Sequence, residues 1–328
     1  MICFENPQST SPFVNLAIEE FLLRHVLVDQ PILHFYVNSP VVIIGRNQNV
    51  FEEIDMKEVR KRGIPVLRRL SGGGAVYHDL GNINYSLISP DQYLLNNYEA
   101  FTMPVFNALR QIGLIAELRN RSSIFVQGKK VSGNAQYATK GRLLSHGTLL
   151  LNSDLTQLRS ALQPRHQEIS SRAIQSVRTS VANLRDLLHK EISLDEVMVH
   201  LKREFLDRVP AVGFELSSQD WEVIRKIEED RYRSWEWNIG RSPGFTTIRR
   251  ALTTYGELVL EIQVDKGAIQ TVRLLSVNFK DNHAVNAFCD CLAGVRYDPQ
   301  DIALALHAYG VEQNLLGLGE EELLTLIY

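Results

Sequence analysis

The sequence predicts a mixed α+β fold, with a main domain over residues 1–240 and a smaller α+β domain over residues 245–328. Three observations carry that prediction. Strand-like and helix-like segments follow one another without the regular strand–helix–strand alternation of a parallel sheet. Between Arg231 and Phe245, a cluster of Trp235, Trp237, Gly240, Pro243 and Gly244 reads as a domain junction and a candidate hinge. The chain, at 328 residues, is long for one domain and comfortable for two.

The elements follow in order. Ser11-Pro12 reads as a helix N-cap with proline at the first helical position. Phe13, Leu16, Ala17, Phe21 and Leu22 then mark one helical face, which sets Glu19 and Glu20 on the opposite side. Val41-Val42-Ile43-Ile44 is a β-branched run of the length of a buried strand, closed by Gly45-Arg46-Asn47-Gln48-Asn49. Residues 54–62 read as a helix stopped by Gly63, and 65–69 as a short strand. Ile83, Tyr85 and Leu87 alternate with Asn84 and Ser86, which predicts a half-buried strand. Residues 98–112 predict a helix that is interrupted or restarts at Pro104. Short strands are expected at 115–118, 124–127, 130–136 and 143–151, with a tight turn at Gly128. After Asp154 the pattern turns helical, most clearly at 194–206 and 219–231. Residues 258–264 and 269–277 predict a hairpin around Asp265-Lys266-Gly267, followed by helices at 282–292 and 299–309.

Composition excludes several classes. A hydrophobic fraction of 45% and a charged fraction of 22% are those of an ordinary globular protein. The net charge of −3 provides no basic field for nucleic acid, and the apolar runs fall short of a membrane span. Met1 to Asn6 lacks the basic and apolar stretches of an export signal. Cys3, Cys289 and Cys291 form neither a disulfide framework nor a zinc spacing, so a reducing, cytoplasmic setting is expected.

Two stretches carry chemistry. In the first, Arg68-Arg69-Leu70-Ser71-Gly72-Gly73-Gly74-Ala75-Val76-Tyr77-His78-Asp79-Leu80-Gly81-Asn82, three glycines follow paired arginines. Glycine lets a ligand approach the main chain, and successive N–H groups can cradle an anion. The same residues could equally make a hairpin turn beside two solvated arginines. In the second, Gly128-Lys129-Lys130-Val131-Ser132-Gly133-Asn134-Ala135-Gln136, a lysine is flanked by small residues that leave room for a bulky group. The alternative is a solvated turn lysine before an ordinary strand. His146, in Ser145-His146-Gly147-Thr148, could face a ligand or satisfy a hydrogen bond in the core.

Together these stretches resemble the lipoate–protein ligase A family. The matching motifs are the arginine–glycine stretch through Asn82, Lys129 to Ala135, and His146-Gly147-Thr148-Leu149-Leu150. Asn15-Leu16-Ala17-Ile18-Glu19-Glu20, Val42 to Asn49, Ser176-Val177-Arg178 with Val181, Asn183 and Leu184, and Ser234-Trp235-Glu236-Trp237-Asn238-Ile239-Gly240 extend the resemblance over nearly the whole chain. The glycine stretch is shared with lipoyl- and octanoyltransferases; its combination with the lysine stretch and the Trp-Glu-Trp-Asn segment is more specific.

The resemblance implies a catalytic domain with a mixed sheet flanked by helices, like that of biotin protein ligases and class II aminoacyl-tRNA synthetases. It implies a two-step reaction: lipoate and ATP give lipoyl-AMP, and the lipoyl group then passes to a lysine of an acceptor protein. Lys130 would be the catalytic residue. Arg69, Gly74, Ala75, Val76, Tyr77, Lys130 and Ala135 would hold ATP, and Leu16, Gly72, Gly73, His78, Lys130 and His146 would line the lipoate pocket. The implied partners are lipoic acid and lipoyl-accepting proteins such as the glycine cleavage H protein and the E2 lipoyl domains of 2-oxoacid dehydrogenases. Mg2+ is expected with the nucleotide. One departure concerns that metal. The family reads Gly-Arg-Asn-Asp-Ile where this chain has Asn120-Arg121-Ser122-Ser123-Ile124, so the expected acid is a serine. Phosphates and water could hold the metal instead, or a carboxylate such as Asp79 could help.

Four other readings bear on the same residues. An acyltransferase working through a thioester would need a cysteine, and none lies in the matched stretches. A transferase using a preformed lipoyl-AMP, or a non-catalytic lipoyl-binding module, would keep much of the same pocket. A biotin ligase would carry a Gly-Arg-Gly-Arg loop, which is absent.

Overall fold

A computed structural model describes residues 1–6, 9–164, 168–177, 179–206, 212–253, 256–276, 282–310 and 319–328. The first half of the chain contains β1 (Ile2–Glu5), α1 (Pro12–Arg24), β2 (Ile32–Tyr36), β3 (Val41–Ile44), α2 (Val50–Glu53), α3 (Met56–Lys61), β4 (Val66–Arg68), β5 (Val76–His78), β6 (Asn82–Ser89), α4 (Tyr98–Gln111), β7 (Ala116–Arg119), β8 (Ser123–Val126), β9 (Lys129–Thr139), β10 (Arg142–Leu150) and α5 (Leu155–Ala161). Then follow β11 (Glu168–Ser171), α6 (Leu194–Phe205), β12 (Val212–Gly213), α7 (Ser218–Ile227), β13 (Phe245–Thr253), β14 (Gly256–Asp265), β15 (Ala268–Leu274), α8 (Asn282–Leu292), α9 (Pro299–Tyr309) and α10 (Glu320–Ile327). No helix among the described residues is long and apolar enough to cross a membrane.

The chain divides into two compact units. The first comprises Met1–Arg46, Lys57–Gln163 and Ser176–Ser234, and the second Asn47–Met56, Pro164–Gln175 and Trp235–Tyr328. The second unit thus takes in two short segments from the first 240 residues.

The first unit is built on an eight-stranded mixed sheet in the order β12-β1-β2-β6-β10-β9-β8-β7 and a three-stranded sheet in the order β4-β3-β5. Residue alternation decides what each face of the large sheet meets. Leu33 and Phe35 of β2, Ile83 and Tyr85 of β6, and Leu143 and Leu149 of β10 join Phe101, Val105 and Leu109 of α4 and Val197, Leu201 and Phe205 of α6 in one apolar core. The intervening residues, His34, Tyr36, Asn84, Ser86 and His146, project from the other face, against which α1 packs. Ser11 caps α1, its side chain accepting the Val14 N–H, and Pro12 opens it.

Several expectations need correction. Glu19 and Glu20 are buried, each 2% exposed, because α1 is covered on both sides. Glu20 is held by Arg24 (2.7 Å), Arg231 (3.3 Å) and the Tyr232 hydroxyl (3.1 Å). β6 is buried along its whole length, since it is a central strand with helices over both faces. Pro104 does not break α4. The Asn97 side chain caps the helix at the Ala100 N–H, and the buried face through Phe101, Val105 and Leu109 outweighs one missing backbone bond. β1, β2 and β5 are strands beyond those expected, and α7 widens into a π-helical turn at Glu228–Tyr232 instead of continuing as a regular helix. Gln127 (φ 50°) and Gly128 (φ 75°) make the turn expected before Lys129.

The second unit has a four-stranded antiparallel sheet in the order β11-β13-β14-β15, together with α2, α8, α9 and α10. The hairpin between β14 and β15 turns at Lys266 and Gly267, both at positive φ. Tyr297 lies in an aromatic cluster with Phe51, Phe245 and Tyr328; its hydroxyl donates to the Ile327 carbonyl and accepts from Arg249, each at 2.7 Å. The end of the expected strand at Val277, and Arg178 of the Ser176-Val177-Arg178 motif, lie outside the described residues.

Gly81 closes the glycine stretch against the backbone after β10. A Cβ there would stand 2.1 Å from the Asn152 carbonyl oxygen and 2.6 Å from the Ser153 nitrogen. Gly81→Ala should therefore cost about 1–3 kcal/mol. Urea denaturation should show a lower midpoint at unchanged slope, and an unchanged midpoint would contradict this packing.

Candidate active site

The parallel pair β3 and β4 delivers the Gly45 turn and the arginine pair to the same end of the small sheet. The two arginines do different work. Arg68 is fully buried, and its Nη1 donates to the carbonyls of Gly45 (3.0 Å) and Arg46 (3.1 Å), holding the turn after β3. Arg69 is the arginine of the loop. Its Nε donates to Ser71 Oγ (3.0 Å), Nη1 to the Ile43 carbonyl (3.3 Å), and Nη2 to the carbonyls of Gly72 (2.5 Å) and Gly74 (2.8 Å). The glycine loop therefore wraps around a buried guanidinium. Gly73 takes φ +88°, and a Cβ on Gly45 would come within 2.0 Å of the Gly73 carbonyl oxygen, so both positions require glycine. Space beside Gly72 is open, with no atom within 4 Å of where its Cβ would lie.

At the far end of the loop, the Ala75 N–H donates to Ser176 Oγ at 2.9 Å. Val76, Tyr77 and His78 form β5 against β3. The Tyr77 hydroxyl donates to Gln157 (3.2 Å), so that side chain is engaged with α5.

The polar face of the large sheet supplies the rest. Pairing registers line up His34, Ser86, His146 and Ala135 in one row across β2, β6, β10 and β9. His146 Nε2 lies 2.6 Å from Ser71 Oγ, and its Nδ1 lies 3.0 and 3.1 Å from the Glu19 oxygens. Burial pushes the Glu19 carboxyl up, but the charge and hydrogen bond of His146 outweigh it, and the net shift is down. Nδ1 of His146 donates to the Glu19 carboxylate, and Nε2 shares a hydrogen bond with Ser71 Oγ. The Tyr36 hydroxyl also donates to Glu19 (3.4 Å). His78 is buried; Asn38 Nδ2 donates to its Nδ1 (3.1 Å), and the Asn38 oxygen in turn accepts from Asn15 (2.9 Å). Burial, with Arg69 and His146 nearby, pushes the His78 imidazole down to about 3.

Lys130 lies on β9. Its side chain extends over Gly133, where a Cβ would be 3.5 Å from both Cε and Nζ. Burial, and after it the charge of Arg69, lowers its pKa. Burial, opposed by the charge of Glu19, brings the Arg69 guanidinium down to about 10, which leaves it a cation at neutral pH.

Arg69, Gly72, Gly74 and His146 are thus joined by hydrogen bonds, directly or through Ser71, while His78 and Lys130 lie within the field of Arg69. Gly73 belongs to the same loop, Ala135 sits beside His146 in the pairing register, and Leu16 is buried in α1. The solvated-turn reading of the glycine stretch fails because both arginines are buried, and His146 is bonded inside the site. Glu19, Ser71, Asn38 and Ser176 have places here that residue types alone did not mark. For Glu19 the available signal was its position in the matched helix segment.

Asp79 is committed to the backbone: Oδ1 accepts the Gly81 N–H (2.9 Å) and Oδ2 the Asp154 N–H (2.7 Å). Among the described residues no group of three or more His, Cys, Asp or Glu side chains is arranged to hold a metal.

A large mixed sheet that carries a lysine, with a glycine loop and an arginine brought to it by a small second sheet, matches a recognised class of protein domain. Residues 11–206 match the lipoyl protein ligase A/B catalytic domain, and residues 242–327 match the bacterial lipoate protein ligase C-terminus. The chain belongs to the lipoate–protein ligase family. It is 41% identical to the lipoate-protein ligase LplJ of Bacillus subtilis, with each chain covered in full, and 36% identical to lipoate–protein ligase 1 of Staphylococcus aureus over 98% of both chains. Among solved structures it resembles a putative lipoate protein ligase from T. acidophilum with bound lipoic acid (TM-score 0.61, 31% identity, 73% of this chain and 98% of that one). It also resembles a lipoate-protein ligase A bound with ATP (TM-score 0.62, 31% identity, 73% and 98%).

Two buried imidazoles set an expectation for pH. Burial pushes His34 down to about 4, and His78 is down at about 3. Unfolded histidine titrates near about 6.5, so between these values the unfolded chain binds more protons than the folded one. Stability should therefore be lost as pH falls from about 6.5 toward about 3, by up to about 1.4 kcal/mol per pH unit for each histidine. Urea titrations across this range should show the slope, and His78→Gln should reduce it. An identical slope in that variant would contradict a buried neutral His78.

Proposed function

We propose that this protein activates lipoate with ATP to form lipoyl-AMP and pyrophosphate, then transfers the lipoyl group to the ε-amine of a lysine on a lipoyl-accepting protein. The observation that carries this reading is the placement of two buried or half-buried cations, Arg69 and Lys130, beside an open glycine loop. Membership of the family and its ATP-bound and lipoate-bound neighbours support it.

The chemistry needs that arrangement. In the first step a lipoate carboxylate oxygen attacks the α-phosphorus of ATP, and the bond to pyrophosphate breaks. Two anions must approach each other, so fixed donors at the meeting point lower the barrier. The ammonium of Lys130 serves there, and Arg69 with the Gly74–Tyr77 backbone holds the nucleotide. In the second step a neutral acceptor amine attacks the lipoyl carbonyl and AMP leaves; Lys130 polarises that carbonyl. The lipoyl chain lies along Gly72, Gly73, Leu16, His78 and His146. Burying several methylenes at about 0.8 kcal/mol each contributes about 3–5 kcal/mol before the costs of binding.

The residues do not fit a protein-held magnesium. Asp79 is used by the backbone, Glu19 by His146, and Ser123 stands where the family has an acid. The cysteines do not fit a thioester route either. Burial pushes Cys3 and Cys291 up to about 11 and raises Cys289, so all three are thiols at neutral pH.

Pyrophosphate release from ATP should depend on lipoate, and its absence with lipoate, magnesium and an active acceptor present would overturn the ligase reading. Transfer from added lipoyl-AMP without that release would favour a transferase. Lys130→Ala should abolish adenylation while leaving the thermal transition in place; near-normal turnover would remove Lys130 from this role. Changing all three cysteines to serine should preserve lipoyl transfer, and loss in a folded variant would restore the thioester route.

A further inference from the structure

Lys130 and Gly133 are three residues apart on β9, and in a regular strand an odd separation sends two side chains to opposite faces. Here they share a face, since the Lys130 amine lies over Gly133. The pairing with β8 explains why. Ser123 is opposite Gly133 and Ile124 opposite Ser132, but Phe125 is opposite Lys130 and Val126 opposite Lys129. Val131 is therefore an extra residue, a β-bulge. Its side chain is fully buried in the apolar core. The backbone of Lys130 is held from outside the hairpin: its N–H donates to the Ser180 carbonyl and its carbonyl accepts the Ala182 N–H, both at 3.0 Å. A slip of one residue decides whether the ammonium faces the site or the core.

A buried polar group fixes the other side of the bulge. The Tyr85 hydroxyl donates to Asn134 Oδ1 at 2.6 Å and lies 3.3 Å from Ser132 Oγ. Asn134 Nδ2 donates to the Ser122 carbonyl (2.9 Å) and to Ser132 Oγ (3.3 Å), and the Asn134 N–H also reaches Ser122 (2.9 Å). Tyr85 is on β6, two strands away, and Gly147 of β10 pairs with both Tyr85 and Asn134. A Cβ on Gly147 would stand 2.1 Å from Asn134 Oδ1 and 2.5 Å from the Tyr85 hydroxyl, so the phenol reaches Asn134 because that residue is glycine.

We propose that Tyr85, reaching past Gly147 to Asn134 and Ser132, is a positioning residue that locks the Val131 bulge and thereby aims Lys130 into the active site. The inference rests on the role of Lys130 in the proposed ligase reaction. Removing the hydroxyl leaves the Asn134 Oδ1 without its 2.6 Å donor beside the bulge, and lets the strand relax toward regular pairing.

The test is Tyr85→Phe, checked for folding by its thermal transition. The rate constant kcat for lipoate-dependent ATP–pyrophosphate exchange should fall by about 10- to 100-fold, with KM for ATP little changed. Independently of activity, the reductively dimethylated Lys130 amine, followed by 13C NMR against pH, should titrate closer to an ordinary lysine in the variant than in the wild type. An unchanged kcat or an unchanged Lys130 titration in folded Tyr85→Phe overturns the proposal. Should Tyr85→Phe fail to fold, Asn134→Ala is put through the same measurements. If the wild type shows no lipoate-dependent exchange, the ligase reading fails, while the Lys130 titration still decides the positioning role.

Discussion

The site depends on keeping the Arg69 guanidinium charged where water has little access. A buried cation needs partners, and Arg69 finds them in the carbonyls of Ile43, Gly72 and Gly74 and in the Ser71 hydroxyl. The loop takes its shape from this demand. Two glycine carbonyls must turn back toward one side chain, so Gly73 enters the left-handed region and Gly45 gives up the space of a Cβ. The same charge acts on its neighbours. It adds to the burial that keeps His78 neutral and lowers Lys130. Glu19 offsets it from α1, on the same face of the large sheet, and is held as a carboxylate by His146.

A second constraint comes from the two faces of the large sheet. Strands of strict alternation ordinarily present polar residues to water. In β2, β6 and β10 the polar residues instead meet α1, and they find partners inside the protein: His146 bonds Glu19 and Ser71, and His34 Nδ1 lies 3.2 Å from the Phe4 carbonyl. That internal polar layer, roofed by a helix, sets side chains of the candidate site on paired strands. Ser71, from the loop, reaches it through a single hydrogen bond to His146.

Much of this was legible in the sequence, and the parts that were not share a cause. The α+β class, the strand at Val41–Ile44 and the turn at Gly128 follow from residue types and local spacing, while the grouping of Arg69, the glycines, Lys130 and His146 comes only from the resemblance to the family. Glu19 was assigned to the outer helix face because an apolar stripe implies a polar opposite, and periodicity within one helix carries no information about a second layer on its back. β6 read as half-buried for the same reason. Arg68 and Arg69 look equivalent in sequence, yet one binds a turn and the other organises a loop, a difference set by strand direction and pairing. The Val131 bulge is silent in composition; it appears only once β8 and β9 are placed in register.

The aperture at Gly147 has a consequence for how such a chain can vary. Tyr85, Gly147 and Asn134 lie on three strands and are separated by many residues, but their volumes are not independent. A side chain at 147 would require a shorter residue at 85, and a shorter residue at 85 would strand the amide at 134. The three positions therefore form a single unit of inheritance, in which the tolerated changes are joint ones and each single step passes through a weakened intermediate.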